Sequence, residues 1–135
     1  MRTLKKNFWK PFLFGCVGLF VATIVFAGDP YHEPSSPGVP LVVDWDESSC
    51  EIKFLSPVDD GGSPIIQYIV QVREEGRNYW EKKGNYDGFG NAEVIRCTVR
   101  DLTEGATYYF RAIAENKAGQ SEPSGASMPH TMKKR

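Results

Sequence analysis

Clustered positive charge, histidine, cysteine and long apolar runs are all scarce in this chain of 135 residues. Each shortage removes a class of function. Arg2, Lys5, Lys6 and Lys10 hold the early positive charge; residues 28–135 carry 12 Lys and Arg against 17 Asp and Glu, a balance of −5. That sign does not suit the phosphates of a nucleic acid. The closing Lys133-Lys134-Arg135 reads as a charged tail. The 2 histidines, His32 and His130, stand in opposite terminal stretches without metal-ligand spacing to Cys or carboxylate. Nucleophilic catalysis needs a Ser or Cys beside a positioned base, and histidines in loose ends do not supply one. No Gly-rich loop opens a helix, so no phosphate cradle is expected, and Asp60-Gly61-Gly62-Ser63 is turn chemistry. There is no Arg-Gly-Asp triplet and no Asn-x-Ser/Thr acceptor, and the second absence weighs against an extracellular life. Neither an enzyme nor a bound cofactor or metal is expected.

The single long apolar stretch lies near the start. Phe12 to Phe26 is uncharged and follows a positive segment, and Val25-Phe26-Ala27 offers a signal-peptidase site with cleavage after Ala27. About 15 residues fall short of the roughly 20 that span a bilayer. Extension from Pro11 to Gly28 approaches the lower limit. Residues 1–27 thus read as a cleaved signal, as an uncleaved hydrophobic helix anchoring the chain through residues 11–28, or as a gene-model artefact foreign to the domain. Cys16, inside the run, is a filler.

What is abundant points to β structure. The chain has 9 Pro and 13 Gly, with several short apolar alternations between turn formers. Residues 28–38 form a Pro-rich linker, in which proline blocks helix and removes ladder donors. Strands are expected over Leu41–Val43, then with Cys50, Ile52 and Phe54 inward, then with Ile66, Tyr68, Val70 and Val72 inward. Trp80 and its neighbours suit a short strand, and Gly84 to Asn91 reads as a mobile loop. Ile95, Cys97 and Val99 alternate up to Leu102. After the Glu104-Gly105 turn, Tyr108, Phe110, Ala112 and Ala114 share one face, with Tyr109, Arg111, Ile113 and Glu115 on the other. Ser121 to Ser127 is a weaker edge strand that tolerates Pro123. No internal repeat occurs.

Seven strands within about 95 residues is the count of an immunoglobulin-like Greek-key sandwich. A Tyr six residues after a buried Leu across a turn is its tyrosine corner: the ring of Tyr108 enters the core and its hydroxyl returns to backbone near the turn. The expected fold is all-β. The strands near residues 41, 50 and 95 form one sheet, and those near 66, 80, 108 and 121 the other. Ile52, Phe54, Tyr68, Val70, Val99, Leu102, Tyr108 and Phe110 make the core.

Leu102 to Gly119 resembles the closing strands of fibronectin type III domains, and among them those of the giant muscle proteins titin and twitchin. Val43-Asp44-Trp45-Asp46, Pro57-Val58-Asp59-Asp60-Gly61-Gly62-Ser63-Pro64-Ile65, Tyr68-Ile69-Val70-Gln71 and Ala114 to Ser124 extend the likeness over roughly 29–127. Phe54 stands where the family usually has Trp. The resemblance implies a fibronectin type III domain over 39–127 with a basic tail over 128–135. Its role would be a non-catalytic protein-binding or structural module within a longer protein, in the cytoplasmic sarcomere, with filament proteins or neighbouring modules as partners. Residues 1–27 point instead to the secretory pathway or membrane, and to an adhesion or receptor-type module. In this fold Cys50 and Cys97 lie on neighbouring strands, either bridged or as two buried thiols. Tyr79, Trp80 and Tyr86 are the candidate partner contacts. Asp44, Asp46 and Glu47 with Asp59 and Asp60 are a candidate acidic rim, but they lack a calcium-loop register and read as solvated loop acids.

Overall fold

The structure, a computed structural model, describes residues 30–88, 90 and 92–135. The signal or anchor expected over 1–27, with its helix, Cys16 and the cleavage position Ala27, lies outside the described residues. Among the described residues there is no helix, hence none long and apolar enough to cross a membrane.

Eight strands form two sheets: β1 (Leu41–Trp45), β2 (Cys50–Leu55), β3 (Gln67–Glu74), β4 (Glu81–Asp87), β5 (Val94–Val99), β6 (Thr107–Asn116), β7 (Gly119–Gln120) and β8 (His130–Thr131). One sheet runs β1-β2-β5; the other runs β4-β3-β6-β7, with β8 also on β6. All pairings are antiparallel. Alternation explains the layers. Cys50, Ile52 and Phe54 of β2 sit opposite Val99, Cys97 and Ile95 of β5, all six buried. Tyr68, Val70 and Val72 of β3 sit opposite Ala114, Ala112 and Phe110 of β6. The small alanines accompany the large Tyr68, whose ring meets Phe54 of the other sheet edge-on at 5.3 Å. Phe54 thus fills its core place with no indole N–H to satisfy.

The corner closes this core. Leu102 and Tyr108 are both buried, and Thr103 N–H donates to the Tyr108 hydroxyl at 3.0 Å. Gly105, at φ 87°, makes the turn between them.

Several elements depart from the expected pattern. Ile66 is exposed and precedes β3, whose inward alternation starts at Tyr68. Trp80 lies before β4, not in it, and β4 absorbs Gly84 to Asp87, read from sequence as loop. As an edge strand, β4 pairs with β3 alone and tolerates a polar sequence. The final edge, expected as one strand over Ser121–Ser127, has its strands outside that range, β7 before it and β8 after it. Between them Ser121, Ser124 and Ser127 each donate a backbone N–H to β6, at Ala114, Ala112 and Phe110, all at 2.8 Å. Their hydroxyls in turn accept from the N–H groups of the same three residues at 2.9 Å. A period of three belongs to extended polyproline-like backbone, and the serine hydroxyls replace the missing ladder acceptors.

The Pro-rich segment is built into the fold in a similar way. Pro34, Pro37 and Pro40 are buried. His32, Ser35 and Gly38 donate N–H groups to Gly61, Asp59 and Leu55 at 3.0, 2.9 and 2.8 Å. Gly61 is required here: at φ 79°, a Cβ would lie 1.9 Å from the His32 carbonyl oxygen. Asn116, 1% exposed, locks the strap by donating to His32 O and Asp60 O while accepting from Ala118 and Gly119 N–H. At the other end Met132, placed by sequence in a basic tail, is fully buried. Its backbone bonds Gly105 and Ala106. Tyr31–Arg135 accordingly make one compact unit.

Cys50 and Cys97 are free and buried. They face Val99 and Ile52, not each other, and diagonal residues two positions apart lie about 7–8 Å from one another, beyond disulfide reach. Burial pushes both thiols up to about 12. Native protein will therefore resist a thiol reagent at neutral pH, and both thiols will react once denatured. Because the unfolded thiols ionise first, their contribution to stability holds below pH ~9 and drains away between ~9 and ~12. Denaturant midpoints measured across that range should fall more steeply in the native chain than in the Cys97→Ala variant.

Candidate functional site

The outer face of the β4-β3-β6 sheet carries the most organised group of outward-facing, half-buried side chains. On β3, Gln71 and Arg73 point away from the core; on β6 their register partners Arg111 and Tyr109 do the same. Trp80, leading into β4, folds over them. The Arg111 guanidinium lies 4.3 Å from the Trp80 ring centre, and that of Arg73 lies 5.5 Å from Trp80 and 4.5 Å from Tyr109. Tyr109, Arg73, Trp80 and Arg111 thus form a ladder of alternating rings and cations. Each contact is worth roughly 0.5–1 kcal/mol at an exposed site.

Polar bonds hold the ladder in place. Arg111 Nε donates to Gln71 Oε1 at 2.7 Å, Arg73 Nη1 to Arg77 O at 2.9 Å, and the Tyr109 hydroxyl to Glu75 Oε1 at 3.2 Å. Partial burial lowers the Arg111 pKa below the usual guanidinium value, which still leaves it charged at neutral pH. Ile69 and Ile113, paired and buried, form the apolar floor beside it.

Of the aromatic candidates, only Trp80 joins this group. Tyr79 is exposed and engages Arg77 through ring and hydroxyl. Tyr86, half-buried, packs against the core and donates its hydroxyl to Thr98 O at 2.8 Å. Arg73, Tyr109 and Arg111 went unassigned in the sequence. Periodicity puts Tyr109 and Arg111 on the outer face, but pairing with Arg73 requires the β3–β6 register.

The acidic rim does not assemble. Asp44, Asp46 and Glu47 lie at the β1–β2 end, Asp59 and Asp60 at the opposite end of β2, a six-residue strand about 20 Å long. Asp46 is a turn cap, accepting from Ser48 N–H, Ser49 N–H and the Ser49 hydroxyl; these bonds lower its pKa. Asp44 pairs with Arg135 at 2.6 Å. Among the described residues, no cluster of three His, Cys, Asp or Glu could hold a metal ion. His32 is exposed. His130 is not in a loose end: its ring meets Trp45 edge-on at 4.5 Å, and burial first, then Lys133, lowers its pKa.

A two-sheet sandwich closed by a tyrosine corner defines the class of domain, and the comparisons place it. Residues 35–129 match the Fibronectin type III domain, and the chain belongs to that family. It is 37% identical over 97 residues to the titin homolog of Caenorhabditis elegans, covering 70% of this chain and 0%, to the nearest percent, of that protein. It is 33% identical to human cardiac-type myosin-binding protein C, over 71% of this chain and 7% of that protein. Domains A168–A170 of titin superpose with a TM-score of 0.69 at 34% identity, over 76% of this chain and 33% of theirs. The chain therefore spans only a small part of the curated relatives it matches.

Proposed function

We propose that this chain is a non-catalytic structural and protein-binding module of a larger, titin-like multi-module protein, acting in the sarcomere by spacing and docking. The observation that carries this reading is the combination of a complete sandwich with an ordered outer face, at 33–37% identity to modules of very long muscle proteins. Sandwiches of this kind position their surfaces and loops for partners. Both thiols are held far from ionisation, so neither serves as a nucleophile at neutral pH. The partners in this reading are filament proteins or adjoining modules.

A second reading, a secreted or membrane-tethered adhesion or receptor-type module, is favoured by one observation: the basic-then-apolar pattern of residues 1–27 ending at Ala27. One experiment separates them. An antibody against the folded domain, used on fractionated source tissue, should detect a polypeptide far larger than 15.1 kDa in the filament fraction. A product of 15 kDa or less, confined to the membrane or secreted fraction, would overturn the sarcomeric reading.

A further inference from the structure

The ladder on the outer sheet face has chemistry beyond packing. Arg77, Arg96 and Arg135 each pair with a carboxylate, namely Glu74, Glu51 and Asp44. Arg73 and Arg111 do not: among the described residues, no carboxylate forms an ion pair with either. Each uses one nitrogen in a hydrogen bond within the protein, Nη1 to Arg77 O and Nε to Gln71 Oε1. A guanidinium has five N–H donors, so most of the donors on both remain unspent. Their planes are already fixed against Trp80 and Tyr109, which removes much of the rotamer entropy that binding would otherwise cost.

The geometry points to an acceptor site for an acidic protein segment: Arg73 and Arg111 take carboxylates of an extended, Glu- or Asp-rich stretch of a partner, with the Trp80 ring in contact with both cations. A carboxylate matches the planar fork with two parallel hydrogen bonds. A protein segment is favoured over a polyphosphate by the charge around the site. Residues 28–135 carry a balance of −5, and Glu75 and Glu115 lie on or beside the same face, held by Tyr109 and Gln67. A long polyanion meets that surrounding negative field along its whole length, whereas a few carboxylates meet only the two cations. This inference rests on the protein-binding reading and names the class of partner it would take.

The test uses the full chain and a short fluorescein-labelled peptide alternating glutamate with glycine, which presents its carboxylates on one side when extended. Fluorescence anisotropy should show saturable binding, and the same peptide with glutamine in place of glutamate should not bind. Arg111→Gln and Arg73→Gln should each weaken binding about tenfold, the scale of one charge-assisted hydrogen-bonded contact. Arg111→Lys should weaken it similarly, because it keeps the charge but loses fork and stack. Arg96→Gln, on the other sheet, should leave binding unchanged. Thermal unfolding of each variant verifies the fold; should Arg111→Gln not fold, Arg73→Gln and the glutamine peptide decide the matter. Equal binding of the glutamine peptide, native-like affinity in Arg73→Gln or Arg111→Lys, or tighter binding of a thymidine oligonucleotide would each overturn the assignment. A large filament-borne polypeptide whose domain ignores the acidic peptide would sink this inference alone and leave the module reading standing.

Discussion

Replacing Tyr108 with alanine should cost about 3–5 kcal/mol, enough to unfold much of a marginally stable domain of this size. The ring is 5% exposed and sits in the main core, 6.5 Å from Phe110. Truncation leaves a cavity that neighbours on two sheets cannot fill together. A second change separates ring from hydroxyl. Tyr108→Phe keeps the packing but strands the Thr103 N–H that now donates to the hydroxyl at 3.0 Å. The expected loss is about 0.5–1.5 kcal/mol, the net worth of one partly buried hydrogen bond. Urea unfolding of the three proteins, compared at unchanged m-value, reads both numbers. If Tyr108→Phe proved neutral, the hydroxyl would not fasten the corner and only the ring would matter. If Tyr108→Ala lost less than about 1 kcal/mol, the corner would not be a keystone of the fold.

The corner was legible because its parts are local: a leucine, a glycine turn and an aromatic at fixed spacing. The same holds for β2, β3, β5 and β6, whose inward residues alternate strictly. Two other features escaped for one reason. A search at period two does not register backbone that repeats at three. Pro34, Pro37 and Pro40 therefore read as a linker, and Ser121, Ser124 and Ser127 as a weak strand, although both segments are tied to the sandwich residue by residue. β4 was misplaced because an edge strand in water needs no apolar face, so Gly84 and Asn85 suggested a loop. The ladder of the candidate site was half visible. Tyr109 and Arg111 were on the outer face from periodicity, but only the pairing of Arg73 with Tyr109 and of Gln71 with Arg111 brings the cations under Trp80. Register across strands is non-local, and nothing in one strand's sequence announces it.

The last segment carries the second large effect. Ending the chain after Pro129 should destabilise the domain by more than about 4 kcal/mol, and Met132→Ala alone by about 2–5 kcal/mol. Met132 is fully buried, with its sulfur accepting from the Cys50 thiol at 3.6 Å. Its carbonyl accepts from Gly105 N–H at 2.7 Å and its own N–H donates to Ala106 O at 2.9 Å. Those bonds land on the turn between Leu102 and Tyr108, so truncation withdraws support from the corner itself. It also removes the pairing of His130 and Thr131 with Tyr108 and Thr107, the edge contact of His130 on Trp45, and the Arg135 contact with that indole. A polar tail would give a different result: deletion would leave the denaturant midpoint where it was. Measuring the native chain, Met132→Ala and the chain ended at Pro129 side by side therefore locates the functional boundary of the module. The expected order, with the truncation least stable and Met132→Ala between, makes residues 130–132 part of the sandwich; equal midpoints for all three would return them to a linker.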